Sequence, residues 1–185
     1  MIFILGLIIF FGVHGLTAFA RGARAGLLKR FGEAGYKGIY SLASLAGFAL
    51  IVIGWSAAPT TPLYSPPYWL RHVAYLLVLL AFISLASAYL PAGRIKAALK
   101  HPMLAGVKLW AFGHLLANGD VRSVLLFGAF LAYAVADRIA VKRRGEPTPA
   151  AGPFRNDAIA VIVGVVGWFA VYMFLHPYIA GVALR

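Results

Sequence analysis

Three histidines in apolar sequence are the residues of this chain whose chemistry calls for an explanation. His14 lies in the apolar run Met1–Ala20, and His101 and His114 lie thirteen residues apart in a second run. Ionisable side chains are costly in a lipid bilayer and usually mark an ion pathway, a proton relay or a cofactor. A neutral imidazole also binds metals such as iron through one ring nitrogen. The alternative is that His14 and His114 only pack between helices and hydrogen-bond a neighbour.

The composition indicates the class of protein that must position these side chains. Of 185 residues, 62% are hydrophobic and 12% are charged, which leaves more apolar surface than one soluble core could bury. Long apolar runs without two-residue alternation favour membrane-spanning helices over a β-barrel. We therefore predict an all-α fold, a polytopic membrane helix bundle that forms one domain over residues 1–185. The six predicted spans are Met1–Ala20, Gly38–Trp55, Leu70–Leu90, His101–Ala117, Val121–Val141 and Ala158–Leu175.

Basic side chains are unevenly distributed between the two ends of the predicted spans. The net charge is +12, yet the second connection, Ser56–Trp69, carries no charged residue. The positive-inside rule then predicts that both termini lie outside the cytoplasm. The membrane is expected to be the inner membrane of a bacterium. The lipid bilayer is the expected partner and nucleic acid is not, because the charges alternate with the spans. Thirteen of the 17 basic residues fall on the predicted cytoplasmic side: Arg21, Arg24, Lys29, Arg30, Lys37, Arg94, Lys96, Lys100, Arg138, Lys142, Arg143, Arg144 and Arg155.

The absence of cysteine limits the cofactors that the chain can hold. It excludes disulfides, thiolate-bound metals, iron–sulfur clusters and covalently attached c-type haem. Any metal cofactor therefore needs nitrogen or oxygen ligands. The first apolar run lacks a basic start and a small-residue cleavage site, so we expect Met1–Ala20 to be retained as a span.

Helical periodicity limits which side chains can act together. At about 100° per residue, His101 and His114 lie on nearly opposite faces of one helix, whereas Lys108 shares the face of His101. Arg21 shares the face of His14 and is the candidate partner for a haem propionate. The rise per residue places His14 about 10 Å and His114 about 20 Å from the cytoplasmic side. We therefore predict that the two buried histidines differ in depth.

The other polar residues have simpler interpretations. His72 and His176 stand near the ends of predicted spans, so we expect them at the membrane interface. His101 precedes a proline and fits a helix cap as well as it fits a functional role. Asp120 is expected to cap the helix that follows it, and Asp137 is expected to pair with a basic neighbour.

Three stretches of the sequence carry a family resemblance. They are Gly-Val-His14-Gly-Leu-Thr, the segment from Gly35 to Gly47, and His-Pro-Met-Leu-Ala-Gly-Val-Lys-Leu-Trp-Ala-Phe-Gly-His-Leu-Leu-Ala-Asn-Gly-Asp over residues 101–120. Together they resemble the NnrU family, and the resemblance spans essentially the whole chain. NnrU-like proteins are linked to denitrification. Their plant relatives are the 15-cis-zeta-carotene isomerases, haem b enzymes that isomerise a cis double bond in a polyene.

The resemblance implies a function and a set of site residues. The axial histidines of the plant enzymes correspond to His14 and His114, and His101 matches a further family histidine. By this resemblance the chain binds haem b, and it acts as an isomerase of an apolar polyene or in a redox step of denitrification. The chain departs from the plant enzymes at Ala111, where they carry a cysteine. Ligand exchange through a thiolate is therefore not expected.

The segment around His101 is also similar to a second class of membrane enzyme. Isoprenylcysteine carboxyl methyltransferase-like proteins carry an Arg-His-Pro-x-Tyr-x-Gly element that helps to bind S-adenosylmethionine. That similarity implies a cofactor site made of His101, Lys108, Asp137 and Arg138, although Leu104 replaces the tyrosine of the element. A third possibility is a non-enzymatic assembly or signalling protein of the respiratory membrane.

Overall fold

The computed structural model of the protein describes residues 1–184, and its regular structure is helical. Within these residues the only β contact is an isolated bridge between Pro62 and Asp120. The predicted all-α fold is confirmed. The helices are α1 (Ile2–Phe19), α2 (Arg21–Trp55), α3 (Leu70–Tyr89), α4 (Arg94–Leu99), α5 (Pro102–Ala117), α6 (Val121–Arg143), α7 (Phe154–Ala170) and α8 (His176–Ala180), with a π-helical segment, Val171–Leu175, between α7 and α8.

Within residues 1–184, five helical stretches are long and apolar enough to cross a membrane. They are α1, α2, α3, α6 and the continuous stretch Phe154–Ala180. The remaining predicted span corresponds to α5, whose 16 residues extend about 24 Å, less than a hydrocarbon core of roughly 30 Å. It packs along two longer helices, α3 and α6. The chain is thus a multi-pass helical membrane protein.

The basic segment between the first two predicted spans, residues 21–37, belongs to helix α2. The backbone of Ala20 leaves the helical region (φ −107°, ψ 55°), and α2 begins at the next residue. Gly32 then interrupts α2 with φ 69° and ψ 174°, a conformation that glycine adopts most readily. Residues 21–31 are rich in alanine, leucine, lysine and arginine, which favour helix. They form a basic helical arm, and the apolar part of α2 follows Gly32.

Both termini and the uncharged α2–α3 loop lie at one end of the bundle, which we call the terminal end (residues 1–3, 56–69, 118–120 and 182–184). Phe3 packs edge-to-face on Trp55, the last residue of α2, with ring centroids 5.8 Å apart. The Tyr75 hydroxyl near the start of α3 donates to the carbonyl of Leu184 at 3.5 Å. The carbonyl of Gly119, in the α5–α6 turn, accepts a hydrogen bond of 2.8 Å from the α2–α3 loop.

The other connections meet at the opposite end, the basic end (residues 18–37, 90–101 and 138–157). The Asn156 side-chain amide donates to the carbonyl of Ala92 at 2.8 Å, and the Arg144 guanidinium donates to the carbonyl of Ala18 at 3.1 Å. The structure therefore brings the predicted cytoplasmic connections to one end, away from both termini. Which side of the membrane each end faces stays a prediction.

Helix contacts follow the order α2, α1, α6, α5, α3, α7, so α6 joins the α1–α2 hairpin to the other helices. Close approach depends on glycine. A Cβ at Gly6 of α1 would lie 2.6 Å from the backbone nitrogen of Ile51, and one at Gly164 of α7 would lie 2.6 Å from the Cα of Ile83. Small residues allow such backbone proximity between membrane helices.

Candidate functional site

His14 lies near the basic end of α1 among aromatic side chains from three helices. Its Nδ1 is 2.7 Å from the carbonyl oxygen of Phe10, one helical turn earlier. The imidazole stacks on the Phe10 ring, with centroids 4.1 Å apart and planes 27° apart. Tyr40 of α2 and Tyr133 of α6 complete the surroundings at 5.5 and 5.9 Å. The side chain is half-buried at the interface of α1, α2 and α6.

His114 lies near the terminal end of α5 in a closely similar environment. Its Nδ1 is 2.8 Å from the carbonyl oxygen of Trp110, again one turn earlier. The imidazole stacks on Phe127 of α6, with centroids 4.4 Å apart and planes 25° apart. The Trp110 ring lies 5.1 Å away. Each histidine thus has its Nδ1 tied to its own helix and one ring face covered by a phenylalanine.

These hydrogen bonds settle which ring nitrogen of each histidine carries the proton. A carbonyl oxygen only accepts, so Nδ1 of His14 and of His114 must donate. In a neutral imidazole, Nε2 then carries the lone pair. Metal-ligating histidines commonly hold the other ring N–H in this way, on a backbone carbonyl. Nε2 is therefore the ring nitrogen of each side chain that is left to accept a hydrogen bond or to bind a metal.

A row of aromatic rings connects the two histidines through α6. The Phe130 ring lies 5.5 Å from Phe10 and 5.3 Å from Trp110, and these two rings contact His14 and His114 respectively. On α6, Tyr133 contacts His14 and Phe127 contacts His114. These two residues are six positions apart, which corresponds to about 9 Å along the helix. This separation agrees with the predicted difference in depth.

Two surface cavities open near the two ends of the bundle. One, of about 380 Å³, opens at the terminal end beside Tyr64, Tyr68 and Arg71. The other, of about 480 Å³, lies between α4 and α7 and is largely apolar, with Arg94 at its edge. Neither cavity is lined by His14 or His114.

At the basic end, Arg21 belongs to a network of charged side chains. Its guanidinium donates to Glu146 at 2.9 Å, and Arg144 donates to the same carboxylate oxygen at 2.7 Å. These hydrogen bonds hold the pKa of Glu146 below its usual range, with Arg144 contributing most. Arg144 also lies 3.9 Å from Asp137, which confirms that Asp137 pairs with a basic residue. The network ties the α1–α2 junction to the α6–α7 loop.

His101 occupies the N-cap position of α5 beside this network, but its side chain makes no capping hydrogen bond. Burial lowers the pKa of His101, and the positive charge of Arg138 adds to that effect, whereas Glu146 and Asp137 act against it. Asp137 and Arg138 are therefore near enough to His101 to interact with it electrostatically, while the cofactor site that the methyltransferase similarity implied stays a prediction. Lys108 lies two turns further along α5 and is half-buried.

Other predictions concern the terminal end. Asp120 caps α6 through a hydrogen bond of 3.1 Å from the backbone N–H of Ser123, as expected. His72 packs edge-to-face against Tyr68 and Tyr75, with ring centroids 6.0 and 6.2 Å away. That arrangement suits an interfacial aromatic belt. His176 places Nδ1 2.7 Å from a backbone carbonyl and is half-buried.

Several contact residues could not be singled out in the sequence. Tyr40, Phe130 and Tyr133 surround the histidines, but each stands in an apolar helix where an aromatic residue is ordinary. Glu146 stands in a Pro/Gly-rich segment between helices. The one available signal was its carboxylate, since the chain has only five acidic residues.

Fold and site together define a multi-pass helical membrane protein that carries two imidazoles between its helices. A family model, described as NnrU protein, matches residues 2–184. The chain therefore belongs to the NnrU family. No curated protein and no solved structure matches it. The resemblance to NnrU is confirmed, while the relation to zeta-carotene isomerases stays a prediction.

Proposed function

We propose that this NnrU-family protein binds haem b within the membrane through His14 and His114. The observation that carries the proposal is the shared orientation of the two imidazoles. Each donates Nδ1–H to the carbonyl four residues earlier and keeps Nε2 for a metal. Such a bond fixes the orientation of a ligating histidine and raises the basicity of its free nitrogen. The family resemblance implies the same two residues.

The donor set suits a haem better than a free metal ion. A porphyrin itself supplies four nitrogens to the iron, so two imidazoles complete the coordination. A structural zinc ion needs four protein ligands and a catalytic one needs three. Within residues 1–184, no group of three or more histidine, cysteine, aspartate or glutamate side chains is placed to hold an ion. Two separate histidines can therefore complete the coordination of a metal only when the cofactor itself supplies the other ligands.

Binding one haem through both histidines requires the packed aromatic interface to rearrange. Phe10, Phe130 and Trp110 form the row of rings between His14 and His114. These side chains must reorient when both imidazoles bind the same iron. The contacts of α1 with α6 are much less extensive than those of α1 with α2. We therefore propose that the α1–α2 hairpin shifts as a unit when haem binds.

The residues around the histidines determine what the site can do. Phe10 and Phe127 hold the imidazole planes by stacking, and the other aromatic rings keep water away from both. A bound haem would supply a redox-active iron. We place a redox role, such as one linked to denitrification, before the isomerisation of a polyene. The reason is that Ala111 is fully buried and offers no thiolate.

Visible absorption of the detergent-purified protein, reconstituted with haem b, tests the proposal. We expect a Soret band that is lost or strongly weakened in His14→Ala and in His114→Ala. His72→Ala removes an exposed histidine at the terminal end and should keep the band. A band that persists in both His14→Ala and His114→Ala would overturn the proposal. Loss in only one variant would leave that histidine as the sole ligand.

A second candidate function depends on the cluster at the basic end. Asp137 and Arg138 of α6 lie close enough to His101 to interact with it electrostatically. Lys108 lies on α5, the helix that begins directly after His101. We propose S-adenosylmethionine as the alternative cofactor there. Calorimetric titration would support it if binding is observed and is lost in His101→Ala. Protein that binds neither haem nor S-adenosylmethionine would favour the non-enzymatic assembly or signalling role.

A further inference from the structure

We propose that Arg24 receives the acidic groups of the ligand held at His14, which for haem b are its propionates. This inference rests on the proposed haem function and names the residue that orients the cofactor. Arg24 lies in the basic helical arm, residues 21–31, and none of the sequence motifs pointed to it. Arginine suits this role because its planar guanidinium binds carboxylates through two parallel hydrogen bonds.

The surroundings of Arg24 leave its charge without a full set of partners. Its Nε is buried and has no hydrogen-bond acceptor among residues 1–184. Its guanidinium carbon lies over the Tyr36 ring, 5.5 Å from the centroid. Glu33 is near enough to interact electrostatically with Arg24, but it binds Lys37 at 2.7 Å. A buried donor of a charged group is costly when unpaired, so a carboxylate supplied by a ligand would relieve a real penalty.

Arg24 is connected to His14 by a short path of aromatic side chains. Tyr36 is 8% exposed, and its hydroxyl lies 3.0 Å from the hydroxyl of Thr17, which stands one turn beyond His14 on α1. The Tyr36 and Tyr40 rings are 6.2 Å apart, and the Tyr40 ring is 5.5 Å from the imidazole of His14. The Arg24 guanidinium and the His14 imidazole thus lie at the two ends of the pair of rings Tyr36 and Tyr40. That combination fits a flat apolar ligand with carboxylates at its edge.

Arg21, which helical periodicity gave as the candidate partner of a haem propionate, already has an acidic partner. Its side chain is 56% exposed and already binds Glu146 at 2.9 Å. Arg122 also has a buried Nε, but Asp120 lies 3.6 Å away and its guanidinium donates to the carbonyl of Trp55. Arg24 is therefore the arginine whose position and unmet donor both point to an acidic ligand.

The test compares haem b with its dimethyl ester, in which both propionates are neutral. The full-length protein is titrated in detergent, and dissociation constants are read from the Soret band. We expect the wild type to bind haem b roughly tenfold or more tightly than the ester, as a charge-assisted hydrogen bond would give. Arg24→Gln should abolish that preference by weakening haem b alone. Arg21→Gln should keep it.

Controls separate the possible failures. Unchanged affinity of Arg24→Gln for the ester shows that the variant is folded, and Arg24→Lys should retain part of the preference. If Arg24→Gln keeps the full preference for haem b, the inference about Arg24 is overturned while haem binding stands. If the wild type shows no Soret band with either compound, the proposed function and this inference fail together.

Discussion

A single buried carboxylate, Asp157, fastens one helix to another at the basic end. Asp157 is 6% exposed, and its two oxygens accept hydrogen bonds of 2.9 Å from the backbone N–H groups of Arg94 and Ile95. The first N–H groups of a helix have no partner inside it, and α4 has no side-chain cap of its own. Asp157, which belongs to α7, therefore supplies the hydrogen-bond acceptors for the first N–H groups of α4.

Removing that carboxylate should destabilise α4 measurably. Asp157→Ala leaves two donors unpaired, at a cost of roughly 1–3 kcal/mol each where they are buried. Asp157→Asn keeps one acceptor oxygen and should cost less. We expect the melting temperature in detergent to fall in the order wild type, Asp157→Asn, Asp157→Ala, with faster amide exchange at residues 94–97. Equal melting temperatures would show that the cap contributes nothing.

The titration of His101 predicts how stability changes with pH. Its pKa in the folded protein is lowered from 6.5, chiefly by burial, so the unfolded chain binds more protons in that range. Stability should therefore fall as the pH drops below about 6.5. His101→Gln cannot titrate and should lose less stability between pH 7.5 and pH 5.5, measured as the change in melting temperature. An identical loss in both proteins would contradict this assignment.

Between elements, the most extensive helix–helix contact joins α1 to α2. The backbones of the two helices come close where a glycine of one helix faces the other. A Cβ at Gly47 would lie 2.7 Å from the backbone nitrogen of Phe10. Phe3, Leu7 and Ile51 fill the same interface with buried apolar side chains. In lipid, where apolar burial alone does not drive helices together, such close packing is the main attraction. The α1–α2 hairpin is thus a unit that docks on α6.

Two glycines of α1 give a matched test of that interface. A Cβ at Gly6 would lie 2.6 Å from backbone atoms of α2, whereas a Cβ at Gly12 would meet nothing within 4 Å. Gly6→Ala should force the helices apart and cost about 1–3 kcal/mol. Gly12→Ala should be neutral or slightly stabilising, because alanine favours helix. Unfolding in mixed detergent micelles measures both, and equal effects would refute the close-packed interface.

Across the whole molecule, charge is sorted between the two ends. Most lysines and arginines lie at the basic end, while the α2–α3 loop and both termini share the terminal end. Basic residues near spans are retained on the cytoplasmic side during insertion. The network of Arg21, Arg144 and Glu146 also lies at the basic end, so it would face the cytoplasm.

The orientation can be tested directly because the chain has no cysteine of its own. Ser65→Cys lies in the α2–α3 loop and Thr148→Cys in the α6–α7 loop. In intact bacterial cells we expect a membrane-impermeant maleimide to label Ser65→Cys alone, with Thr148→Cys labelled only after the membrane is opened. The reverse pattern would place the basic end outside and contradict the positive-inside assignment.

The sequence located some parts of the site and could not locate others. His14, His101 and His114 stood out because ionisable groups are rare in apolar runs. The position of Asp120 directly before a predicted helix indicated that it caps this helix. The stacking partners Phe10 and Phe127 did not stand out, because phenylalanine is ordinary in a span. Phe10 contacts His14 within α1, one turn away, whereas Phe127 contacts His114 only because α5 and α6 pack together.

The amino-acid sequence by itself determined the helical membrane class, the apolar segments and the separation of basic from uncharged connections. These properties depend on local composition and on the cost of exposing polar groups to lipid, which each segment carries wherever it packs. Only the tertiary structure decided that Arg21 pairs with Glu146, that Arg24 keeps an unmet donor over Tyr36, and that aromatic rings lie between the two histidines. Such contacts join residues far apart in the chain, so their energies exist only after the helices have packed.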